Sequence, residues 1–351
     1  MTDYLIRLKP VDIFFFGSEQ TFGYGINTDY FGISNPFPQQ TALLGMLRKE
    51  ILIQAGEYKE NAADYEAGDY AQMDKLIGSK SFNVDAAFKG NGNDQDFGCI
   101  KMLFPLFLYR EGDYFIRAPF DLNLNFDKFK ENKARAYLNK ERDFIPLLKG
   151  YDPKKGIADQ FISHYKKKDK KTDEKIIVDS DDIFIPLTKI GIDKNRDEDE
   201  DGKFFKQKFY RLQEGYEFAF LAEIDHKLRN SIVSLGAENS SFIMNVEEAK
   251  DSFGKLFQHN KRTNRLTLLS NALVESTIYN FCDFAITKTV NFRNIRTQTG
   301  DYQYNQNKSK SRKYTFLSSG SVFFMEDENR QAAEDCIKNK NFEKIGYNIF
   351  A

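Results

Sequence analysis

Tyr216, Phe218, Phe220, Ala222 and Ile224 occupy every second position of one short run. A period of two places them on one face of a half-buried β-strand and excludes an amphipathic helix there. Strand-like runs recur at 4–8, 102–109, 114–117, 183–192, 204–212, 242–246, 287–292, 314–317 and 321–325. Glu111-Gly112-Asp113 supplies a turn between two of them, and 183–212 reads as a long hairpin whose tip is DKNRDEDEDG. Helical spacing is rarer. Leu43, Leu47 and Ile51, with Leu44, line one face just after Pro36 and Pro38, and Thr41 is placed to cap that helix. Leu266, Leu269 and Leu273 predict a second helix, and about 328–338 a last one. Apolar periodicity fades over 55–98, which reads as an insertion containing the loop GNGND. Strands and helices that alternate irregularly around antiparallel hairpins give an α+β fold.

Charge and composition then exclude several functions. Lys and Arg number 51 against 52 Asp and Glu, a net charge of −1. Any nucleic-acid binding must therefore use local patches rather than the whole surface. Three distant cysteines without a CxxC pair make neither a disulfide framework nor a zinc knuckle. The first residues lack the apolar stretch of a signal peptide, and no apolar run reaches the ~20 residues of a membrane span. A soluble, cytoplasmic protein is expected.

Few motifs carry chemistry. Asp197, Asp199, Asp201 and Gly202 match half a calcium loop, but its closing twelfth position is Lys208 and the flank reads as strand. No metal or cofactor is expected. Phe22, Gly23, Tyr24 and Gly25 form either a tight turn or a loop whose glycines let backbone approach a phosphate. His164, His226 and His259 have no nucleophile pattern nearby, so no catalytic residue is assigned. Between 288 and 314, Lys288, Arg293, Arg296, Lys308, Lys310, Arg312 and Lys313 face Asp301 alone, interleaved with Phe292, Tyr302, Tyr304 and Tyr314. Cations for phosphates and rings for bases suit single-stranded RNA, and a solvated loop has the same composition.

Taken in order, LKPVDIFFFGSEQTFGYG, NPFPQQTALLGMLRKEIL, IGIDKNRDEDEDGKFFKQKFYRL, SLGAE, SSGSVFFME and the closing IGYN resemble the RAMP superfamily of CRISPR proteins. Within it they are most similar to the family of third subunits of the Cmr (type III-B) effector complex. Pro10, Asp12, Phe15, Gly23, Gly25, Pro36, Pro38, Gly45 and Arg48 carry the N-terminal part of the likeness. The resemblance implies two ferredoxin-like (RRM-like) domains. The first, 1–248, would hold the insertion at about 55–98 and a thumb-like hairpin at about 190–212; the second would span 249–351. It also implies a non-catalytic subunit that caps the 5′ handle of CRISPR RNA. Its partners would be the large polymerase-like subunit and the backbone subunits, with target RNA met through the guide. Gln39, Gln40, Thr41 and Arg48 would lie along the handle phosphates, and Gly346 stands in the place of a C-terminal glycine-rich loop. An acidic hairpin tip repels phosphate, so RNA is expected nearer Lys194, Arg196, Phe204 and Phe205. The alternative is a repeat-processing endoribonuclease of the same superfamily. Such enzymes commonly place a histidine near the first helix, and here none precedes His164.

Overall fold

The 216–224 run is the centre of the main sheet in a computed structural model. The structure describes residues 2–17, 31–61, 64–88, 95–122, 135–138, 144–146, 157, 159–163, 176–193, 203–236, 238–249, 265–296 and 309–351. Strand Glu217–Ile224 pairs with Thr2–Pro10 on one side and with Phe107–Arg110 and Ile100–Leu103 on the other, all antiparallel. Among the described residues nine strands join in this sheet, running from the Ser231–Leu235 edge to the Ile177–Asp179 edge. The hairpin turn predicted at Glu111-Gly112 is present, with both residues at positive φ.

The central strand is buried on both faces, which corrects the half-buried expectation. Phe218 and Phe220 face the large core, while Ala219 and Leu221 pack with Leu5, Phe107 and Tyr114 behind the sheet. The stretch from Phe218 to Ala222 is apolar throughout, as a strand covered on both sides requires. Phe14, Phe16, Phe37, Phe184 and Phe242 surround Phe218 at ring separations of 5.3 to 6.3 Å. Each buried ring of this cluster contributes about 2–3 kcal/mol.

Helix α1, Gln40–Ala55, lays Leu43, Leu47 and Ile51 on that core and stops at Gly56, whose φ of 78° is left-handed. Its cap position is Gln39 rather than Thr41, which lies in the first turn. The 55–98 stretch is more ordered than its periodicity implied. It holds α2, Ala67–Ile77, started by a Glu66/Asp69 capping box, and α3, Val84–Phe88. The helix predicted over 266–273 is absent. Arg265–Thr267 is a strand on Val322–Phe324, and Thr267 and Leu269 bond to Ala351 and Ile349 of the chain end. Pairing with distant backbone overrides a local leucine spacing.

The hairpin strands are Phe184–Asp193 and Lys203–Leu212, and Phe31–Ile33 adds to the second of them in parallel. The acidic tip, including the calcium-loop residues Asp197, Asp199 and Asp201, lies outside the described residues. Beyond 265 a smaller sheet forms its own core around Leu266, Phe323 and Ile337. Phe292, Tyr314, Phe316, Phe342 and Tyr347 belong instead to the large core. The predicted last helix is a 3-10 turn, Asp327–Asn329, followed by helix Arg330–Asp335. No helix among the described residues is long and apolar enough to cross a membrane.

Candidate nucleic-acid interface

A cleft of about 1210 Å³ opens where the start of α1, the hairpin base and the C-terminal segment meet. Pro36 and Pro38 keep the approach to α1 extended, and Gln39 has the extended backbone of a cap residue but makes no side-chain cap bond. No carboxylate sits in the first turn of this 16-residue helix, so its positive end is not neutralised locally. Gln40 is buried. Its Nε2 donates to the carbonyls of Phe104 at 3.0 Å and Gly346 at 3.3 Å. Gly346, at φ +79°, lies so close that a Cβ there would stand 2.2 Å from that same nitrogen. The Tyr347 hydroxyl lies against the Thr41 and Gln40 backbone, and burial raises its pKa. The consecutive Gln39, Gln40 and Thr41 thus form one structural unit with the distant Gly346, and Gln39, Gln40 and Gly346 line the cleft.

The lining carries both signs of charge. Lys288, Lys313, Asn271, Asn291, Ser318 and Ser319 come to the lining from the C-terminal segment, and Asp159, Asp179, Asp181 and Asp182 from 159–182. Asp159 is paired with Arg117, whereas Asp181 and Asp182 are exposed. Asn271 is fixed by the Ser319 N–H, which donates to its Oδ1 at 3.0 Å, and Lys288 by its carbonyl, which accepts from Ser318 N at 2.7 Å. A phosphate entering this cleft is attracted by the lysines and repelled by the aspartates. Lys288, Asn271 and Asn291 were not singled out as site residues. The basic count at 288–314 contained Lys288, but nothing local marks two asparagines, one on the Thr289–Phe292 strand and one in the segment after Thr267.

The remaining predicted residues fall elsewhere. Arg48 points away from the cleft residues and donates to the Gly78 carbonyl at 2.7 Å, tying α1 to α2. Arg293 donates to the Ser311 carbonyl at 2.9 Å. Arg312 is largely exposed, pairs with Asp85 at 2.8 Å and lies over the Tyr314 ring. Phe292 and Tyr314 are buried, so these two rings of the basic segment are core rather than a stacking surface. Arg296 and Lys310 sit on the paired strands Ile295–Arg296 and Ser309–Lys310, and their side chains lie outside the described residues. The same holds for the Phe204 and Phe205 side chains. Phe22, Gly23, Tyr24, Gly25, Lys194, Arg196 and Lys308 lie outside the described residues altogether. Among the described residues no group of His, Cys, Asp and Glu could hold a metal ion.

Comparison with known proteins adds four likenesses. Residues 6–351 match the family described as CRISPR-associated protein (Cas_Cmr3). A chain of the type III-B Cmr-beta complex, solved by cryo-EM bound to cognate target RNA, is 13% identical with a TM-score of 0.49, covering 99% of this chain and 96% of that one. A chain of the same complex with target RNA and AMPPnP is 15% identical with a TM-score of 0.49, covering 98% and 94%. A chain of the Csm3–Csm4 subcomplex of the type III-A interference complex is 11% identical with a TM-score of 0.38, covering 92% and 93%. No curated protein matches the chain.

Proposed function

This chain belongs to the Cas_Cmr3 family of CRISPR-associated proteins, and from that membership we propose that it is a non-catalytic subunit of a type III-B effector complex that binds the 5′ handle of CRISPR RNA. Its two halves, 1–248 and 249–351, would each be a ferredoxin-like domain, with the handle seated in the cleft they share. Lys288 and Lys313 would hold phosphates, helped by the positive end of α1. The amide side chain of Asn291 would be available to a base edge. The large polymerase-like subunit and the backbone subunits would pack on other faces, and target sequence would be read by the guide rather than by this chain. The observation that supports this reading is the convergence of Gln39, Gln40, Lys313 and Gly346 on one cleft that Lys288 also lines.

Co-expression with the genomic neighbours, followed by sequencing of the co-purified RNA, tests it. Reads with one short repeat-derived 5′ tag and varied spacers are expected. Replacing Lys288 and Lys313 together by Glu should reduce the retained RNA at least about tenfold. Random cellular RNA, or full retention by the double variant, overturns the assignment of the cleft. Incubation with repeat RNA in chelator should leave it intact, and cleavage would overturn the non-catalytic reading.

A further inference from the structure

The main sheet ends in two edges of different character. At the Ile177–Asp179 edge, Asp179 and the following Asp181 and Asp182 set carboxylates beside the strand. Charge of this kind keeps a second strand from adding there. The Ser231–Leu235 edge carries no charged residue and no proline, and it holds register with Ser240–Glu248 without a bulge. Among the described residues, the backbone of Ser231–Leu235 makes no hydrogen bond outside that ladder. Its inward side chains, Val233 and Leu235, join the large core. Its outward side chains lie on the back of the sheet. Residues opposite one another on neighbouring strands share a face, so Ile232, Ile243 and Lys9 form one row and Ser234 and Ser241 the next. Val11 extends the second row, its N–H donating to the Ser241 carbonyl at 3.0 Å. Ile232 is 71% exposed, Val11 59% and Ile243 39%, which makes an apolar patch at an open edge. None of these residues lines the cleft.

We propose that this edge pairs with the same edge of a second copy of the chain, antiparallel and two-fold symmetric about Val233. Ile232 of each copy then lies opposite Ser234 of the other, and the two apolar patches join across the seam. Charge complementarity favours a second copy over another occupant. A two-fold places the start of one strand against the end of the other. Exposed Lys227 and Arg229 precede the strand and exposed Glu238 follows it, so opposite charges meet at both ends of the pairing. Arg229 is held at the edge by donating to the Gln54 carbonyl at 3.2 Å, and Glu238 by accepting from Gln207 at 3.3 Å. A partner strand of one sign of charge would be repelled at one end. The aspartates at the other edge of the sheet make association close at two copies rather than run on as a fibre. One five-residue strand and one patch make a small interface, which gives a weak dimer with a dissociation constant in the micromolar range.

Sedimentation velocity of the full chain alone, over a range of concentrations, tests the pairing. A shift from monomer towards dimer mass is expected as concentration rises. Ile232→Lys should raise the dissociation constant at least about tenfold by placing a charge in the seam. Glu238→Lys should raise it about fivefold, since each exposed pair occurs twice, and adding Arg229→Glu should restore most of the loss. All three positions are exposed, so melting temperatures should stay near wild type. A monomer at every concentration overturns the proposal, and so does a dimer that Ile232→Lys leaves intact. Weakening by Ile232→Lys without rescue by the charge exchange overturns the two-fold pairing. The proposal does not rest on the reading of the cleft, so the Lys288/Lys313 double variant should dimerise as wild type does. Loss of the dimer in that variant would place the contact at the cleft and overturn the edge pairing.

Discussion

At Gly346 the backbone conformation and the side chain of a distant residue impose the same requirement. A Cβ there would lie 2.2 Å from Gln40 Nε2 and 2.8 Å from the Phe104 carbonyl carbon, on a backbone at φ +79°. Gly346→Ala should therefore cost about 2–3 kcal/mol, from left-handed strain plus displacement of the Gln40 amide. Differential scanning fluorimetry should show a melting temperature several degrees lower, and an unchanged one would mean that the loop relaxes freely. Gln40→Leu removes the donor to two carbonyls and should cost about 1–3 kcal/mol. The cysteines follow a simpler rule. Burial pushes the Cys99 and Cys282 thiols up to about 11, so little thiolate exists near pH 8. Iodoacetamide should alkylate both at least about tenfold more slowly than free cysteine, and comparable rates would show that these sites open readily.

Legibility in the sequence divides by the range of the forces that set each element. The 217–224 strand, the Glu111-Gly112 turn and α1 were readable because period, turn chemistry and the proline approach are local signals. The 266–273 stretch was misread because its partners are the chain end and Ser321, which no local window contains. Both-sided burial of the central strand was hidden for the same reason, since Leu5 and Phe107 come from other elements. Of the candidate site, Gln39, Gln40 and Gly346 were pointed to by resemblance and Lys313 by the basic run at 288–314, whereas Arg48 bonds to the end of α2. The hairpin separates its local and tertiary parts in a testable way. Phe184 and Leu212 anchor its base in the large core, while its register continues to Asp193 and Lys203. Replacing 194–202 by a two-residue Asn-Gly turn should leave the melting temperature within about 2 °C. Phe184→Ala should cost about 3–5 kcal/mol as a core cavity. The reverse ranking would place the hairpin's stabilising contacts in its tip.

For the whole molecule, the question is whether the proposed halves are independent. Residues after 265 contribute to two cores. Leu266, Phe323 and Ile337 close one among themselves, but Phe292, Phe316, Phe342 and Tyr347 enter the large core. Phe82, which is 1% exposed, meets Phe342 at 5.2 Å and Tyr347 at 6.4 Å between ring centres. Asn294 donates to the Phe82 carbonyl at 2.7 Å, and Arg265 pairs with the buried Asp121. Removing 249–351 would expose these rings and strand a buried carboxylate, a loss that exceeds the ~5–15 kcal/mol stability of a typical protein. The chain should accordingly unfold in one calorimetric transition, with calorimetric and van't Hoff enthalpies equal. The fragment 1–248 expressed alone should be insoluble or molten, with near-UV dichroism lost. Two separated transitions, or a natively folded 1–248 fragment, would show that the halves are thermodynamic domains. A cleft built across one shared core keeps Gln40, Lys313 and Gly346 in fixed register, which a bound strand held at several points requires. Independent halves would let that register drift by rigid-body motion.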